Sequence, residues 1–79
     1  MEILIGDLVK INKKLIQRPI NIYLYEDEYG YFSTDFFELK STAIVIGFKN
    51  EKKMTYTKLI TDTQIVGWVR TIYLEKVNQ

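Results

Sequence analysis

The densest run of acidic side chains in this 79-residue chain is Glu26-Asp27-Glu28, set between Tyr25 and Tyr29. Carboxylates so placed suggest three chemistries. A hard cation is the first, but calcium loops space their ligands and need a glycine at the sharp turn. This run has neither, so no metal is expected. Glycosidic chemistry is the second, and it needs a deep cleft between two carboxyl groups. A small domain of this size is not expected to enclose one. Contact with a basic partner is the third, and it asks only for exposure. Nucleophilic chemistry lacks its parts: Ser33 and Ser41 have no histidine to activate them, and the chain contains no histidine and no cysteine. A glycine-rich phosphate loop is also absent from the sequence. The expectation is a protein without catalytic activity and without a cofactor.

The acids belong to a wider segment of unusual composition. Residues 19–38 hold seven of the eleven aromatic residues, five acids and no lysine or arginine. The segment carries −5. Four basic against two acidic residues precede it, and seven against three follow it, so a total near neutrality hides strong charge segregation. Exposed tyrosines offer large contact areas at low entropic cost, and neighbouring carboxylates suit a basic partner. Two readings of the segment stand. It is a protein-binding edge, or it folds its aromatics back to enlarge a small core and leaves the acids as a solvated face.

The basic residues flank the first strand (Lys10, Lys13, Lys14, Arg18) or a later turn (Lys49, Lys52, Lys53). A nucleic-acid site would interleave such residues with exposed aromatics on one face. In the sequence the aromatics cluster with acids instead, so solvated lysines and weak, non-specific nucleic-acid binding are expected. Trp68 is expected at the barrel rim or in the core.

Length implies one domain, residues 1–79, with a thin stability margin. The absence of cysteine fits a reducing compartment. No stretch approaches the ~20 apolar residues of a membrane span, and the first residues do not resemble a signal peptide. A cytoplasmic location is expected. Abundant isoleucine, lysine, asparagine and tyrosine suggest an AT-rich bacterial or phage genome.

These residues need elements to position them. Leu8-Val9-Lys10-Ile11 reads as a strand entered by the turn signal Gly6-Asp7. Ile20 to Tyr25 has a strand pattern, Glu26 to Gly30 is its turn, and Tyr31-Phe32-Ser33 is the return arm. Thr34 to Glu38 carries a capping residue and early acids, which predict one helical turn. Thr42 to Phe48 is a short β-branched apolar run, read as a buried strand. Asn50 to Lys53 is a turn, Tyr56 to Thr61 a strand, Asp62-Thr63 a turn, and Gln64 to Val69 a strand. Ile44, Ile46, Leu59, Ile65, Val69 and Leu74 are expected to form much of the core.

The C-terminal run Gly67, Trp68, Val69, Tyr73, Leu74 and Val77, with the opening Gly6-Asp7-Leu8-Val9, resembles the Src-homology-3-like barrel of small bacterial and phage proteins. The resemblance covers most of the chain, with residues 13–40 matching as a long insert. It implies an all-β, five-stranded barrel with a long loop after strand 1 and a short helical turn before the last strand. Peptide-binding members carry proline where Arg70 stands and usually asparagine where Ile72 stands. They also carry a tryptophan where only Thr55 and Tyr56 are found. Of their groove positions only Tyr73 matches, so polyproline recognition is not implied.

The expected function is that of a non-catalytic protein-interaction module, such as a small phage or bacterial accessory protein docking on a larger one. Its partner-binding residues are Glu26, Asp27, Glu28, Tyr29 and Tyr31, with Tyr73 at their edge, and its partner is a protein with a basic surface. A nucleic-acid-associated barrel and a self-associating structural subunit are the alternatives.

Overall fold

The computed structural model describes residues 2–27 and 30–77, and side chains within them except at positions 24–34. Seven strands follow in order: β1 (Leu8–Ile11), β2 (Ile20–Asp27), β3 (Gly30–Phe37), β4 (Ala43–Glu51), β5 (Met54–Thr61), β6 (Val66–Arg70) and β7 (Leu74–Lys76). A single 3-10 turn, Thr71–Tyr73, joins β6 to β7. The strands form one antiparallel sheet in the order β3-β2-β6-β5-β4-β1-β7. Among the described residues no helix is long and apolar enough to cross a membrane.

Every strand supplies the core. Val9 and Ile11 come from β1, Ile20 and Ile22 from β2, and Phe37 from β3. Ala43 and Val45 come from β4, Leu59 from β5, Val69 from β6 and Leu74 from β7. No second layer covers these side chains, so the sheet curls over its own apolar face, as strand twist permits. Register irregularities sharpen the curl. One lies between Val45 and Gly47 on β4, and two lie between Ile22 and Tyr25 on β2.

Five of the seven strands coincide with those expected. The other two correct the expected count, because the presumed long loop after strand 1 is largely the β2–β3 hairpin. Its pairing runs from Ile20↔Phe37 to Asp27↔Gly30. The helical turn expected at Thr34–Glu38 is also corrected, since Thr34 to Phe37 lie in β3. There, cross-strand pairing and burial of Phe37 outweigh a local capping signal. The helical turn expected before the last strand is present.

The core expectation held for Leu59, Val69 and Leu74, and Ile65 packs against the core partly buried. It failed for Ile44 and Ile46, which are 50% and 38% exposed. Strand side chains alternate between faces, and Ala43 and Val45 occupy the inner one.

Strand β1 sets the chain's first strand beside its last, pairing with β4 on one side and β7 on the other. The turn before it carries Gly6 at φ +93°, a left-handed conformation that suits glycine. The Gly6 N–H donates to the Val45 carbonyl at 2.8 Å, and the Val45 N–H donates to the Asp7 carbonyl at 3.0 Å. The Asp7 carboxylate accepts the Leu4 N–H at 2.8 Å and lies 3.4 Å from the Lys76 ammonium. The Leu4 bond, with a smaller contribution from Lys76, holds the Asp7 carboxyl below its ordinary value, against a partly opposing loss of hydration.

At the opposite end, the β4–β5 turn uses Lys52 and Lys53 at φ 49° and 68°. Two-residue hairpin turns of this kind usually recruit asparagine and glycine.

Two expectations follow. By urea denaturation, Leu59→Ala should cost about 2–5 kcal/mol, whereas Ile44→Ala on the outer face should cost under about 1 kcal/mol. A depressed folded pKa contributes stability that is present above the unfolded value and lost as pH falls through the folded one. The stability gap between the parent chain and Asp7→Asn, present at neutral pH, should therefore narrow as pH drops below 3.8.

Candidate functional site: an acidic hairpin and the cationic face at its root

Glu26 and Asp27 end β2, and Tyr31 lies in β3. Register sets Glu26 across from Tyr31 and Asp27 across from Gly30. Their side chains lie outside the described residues, as do Glu28 and Tyr29 altogether. What the backbone establishes is an arm. Among the described residues the register joins β2 to β6 at Tyr23↔Trp68. Beyond Tyr23 the recorded pairs of β2 and β3 are with each other. The backbone of Glu26, Asp27 and Tyr31 thus lies in a strand pair whose described link to the rest of the sheet is at its root.

Tyr73 is placed at that root rather than among the acids. Two contacts fix its 3-10 turn. The Thr57 and Thr71 hydroxyls are 2.7 Å apart, and the Tyr73 carbonyl accepts the Asn12 N–H at 2.8 Å. Thr57 is fully buried, so this hydroxyl pair also satisfies a polar group in the core. Asn12 folds the segment between β1 and β2 as well. Its carbonyl accepts the Leu15 and Ile16 N–H groups at 3.0 and 3.1 Å, and its side chain accepts the Lys14 N–H at 3.1 Å. The segment then brings Arg18 to the entry of β2. The result is a cleft of about 160 Å³ whose polar lining is Arg18, Asn21, Tyr23, Arg70 and Tyr73, over Ile16 and Ile20. The Arg70 guanidinium stands 5.4 Å from the centre of the Tyr73 ring.

The outer face of β4, β5 and β6 continues from this cleft. Two register rows define it: Lys49–Tyr56–Arg70, and Lys58–Trp68–Tyr23. Side chains in such rows are close neighbours on one face. The Lys49 ammonium lies 4.5 Å from the Trp68 ring centre and 5.9 Å from that of Tyr56. The Lys58 ammonium lies 5.7 Å from Trp68. Contacts of this kind contribute about 0.5–1 kcal/mol each at exposed sites. Tyr23 meets Tyr56 edge to face at 6.3 Å. Lys49 also pairs with Glu51 at 3.7 Å.

This cationic, aromatic face corrects two expectations. Trp68 is a half-buried outer-face residue, since Val69 takes the inner position. Lys49 and Lys58 are held over rings rather than merely solvated. The alternation Tyr56, Lys58 and Trp68, Arg70 was the available signal, but its face depends on which neighbours go inside. Farther along the same face, Ile44, Ile60 and Val66 form an exposed apolar row in register, beside Leu8 on β1.

Among the described residues no group of three or more acidic side chains converges as a metal site would require. Comparison of the chain with family models, with curated proteins and with solved structures finds no match.

Proposed function

We propose that this chain is a non-catalytic protein-interaction module, built on a barrel of the Src-homology-3 kind, whose β2–β3 arm engages a partner with a basic surface. The observation carrying the proposal is the arm's pairing. Past Tyr23 it is a two-stranded ribbon, and such ribbons are marginal in water without a further partner. Its acidic, tyrosine-rich sequence supplies charge and contact area. The five strands outside the arm and the 3-10 turn before β7 support the barrel assignment. The exposed row Ile44–Ile60–Val66 offers apolar area to the same partner.

Replacing Glu26, Asp27 and Glu28 by glutamine is expected to slow association with the partner and flatten its salt dependence. Replacing Tyr29 and Tyr31 by alanine should mainly speed dissociation. Surface plasmon resonance with a partner captured from the native host measures both. If the tyrosine variants unfold while the acid variants bind normally, the arm is core and cover, and the proposal fails.

One observation favours a second reading. Lys49, Lys58 and Arg70 alternate with Tyr56 and Trp68 on one face, which is the arrangement single-stranded nucleic acid uses. Against it, lysine ammonium groups already lie by the Trp68 ring where a base would stack. Oligothymidine is therefore expected to leave the emission of Trp68, the chain's one tryptophan, unchanged at physiological salt. Micromolar quenching there would promote the second reading over the first.

A further inference from the structure

The chain has only two arginines, Arg18 and Arg70, far apart in sequence and on different elements. Both line the cleft between the 3-10 turn and the root of the hairpin. All nine other basic residues are lysines, and none lines this cleft. Among the described residues the polar lining is otherwise Asn21, Tyr23 and Tyr73, with no carboxylate. Among the described residues neither guanidinium has a carboxylate partner, whereas Lys10, Lys49 and Lys76 each have one. We infer that this cleft is an oxyanion-binding site, taking a carboxylate or a phosphate monoester between Arg18 and Arg70.

The chemistry of the lining fits that class of ligand. Guanidinium groups present planar forks of donors that match two oxygens of one oxyanion, and they stay charged at any working pH. Arg70 is half-buried and held against Tyr73, so one fork is already oriented. Arg18 is exposed and lines the same cleft, so its side chain is free to adjust to a ligand there. Asn21 and Tyr73 offer further polar groups, while Ile16 and Ile20 give an apolar floor to the carbon atoms that bear the anion. The volume, about 160 Å³, admits an anionic group with a short stem rather than a large ligand.

The site stands apart from the acidic arm in sign and in residues, so the two are tested separately. Because there are two arginines, the protein gives two Nε–H signals in a proton–nitrogen spectrum. Titration with inorganic phosphate, and separately with acetate, at ionic strength fixed with chloride, should shift both signals saturably. Saturation by phosphate alone identifies a phosphate-bearing ligand, and comparable saturation by acetate identifies a carboxylate-bearing one. Arg18→Gln, at an exposed position outside the strands, should weaken the binding about tenfold, as expected for loss of one charge-assisted contact. Replacing Glu26, Asp27 and Glu28 by glutamine should leave the titration unchanged. Linear, unsaturated shifts with both anions, or an affinity unaltered by Arg18→Gln, would overturn the inference.

Discussion

A sheet with nothing laid against it must cover its own apolar face, and the rest of this structure depends on that constraint. Curling brings side chains from all seven strands into one interior, which Val, Ile, Leu, Ala43 and Phe37 fill among the described residues. At one end of the sheet the chain's first and last strands meet, where β1 pairs with β7 and Asp7 reaches both Leu4 and Lys76. Curling also divides the molecule into an inside that is mainly apolar, with Thr57 and Thr61 as its buried polar residues among those described, and an outside free to carry charge. The Lys–Trp–Lys contacts and the arginine cleft are features of that outside.

The locations of most elements were legible in the sequence, because turn residues and β-branched runs mark them locally. Gly6-Asp7 announced β1, and Asp62-Thr63 separated β5 from β6. Even the β2–β3 hairpin was readable from Ile20 to Ser33. It was lost only when the family resemblance recast the segment as a loop, which gave five strands for seven. Facing was less legible. Thr42 to Phe48 is apolar at nearly every position, so its period does not say which side chains point inward. The pairing partner decides, and Ile44 lies opposite Leu8 and Ile60 rather than under them.

The candidate sites differed in the same way. The acidic, aromatic segment was visible because its composition is contiguous. The cleft lined by Arg18 and Arg70 was not, since the two come to line one cleft through the fold of the Asn12 segment and the seating of the 3-10 turn by Thr57. Nothing in the spacing of two arginines along the chain forecasts that arrangement. Trp68 followed the facing problem: one residue's shift in parity separates core from surface.

The turn at Lys52 and Lys53 bears on how the chain reaches this state. Both residues adopt a left-handed backbone that lysine disfavours. The β4–β5 hairpin is the longest local pairing in the sheet, yet its turn does not drive it together. Its formation has to wait for cross-strand contacts such as Val45 with Leu59, nearer the strands' far ends. The closing β1–β7 pair spans nearly the whole chain. That pair cannot form by short-range closure, so completing the sheet waits on contacts distant in sequence, a feature of the slower small-domain folds.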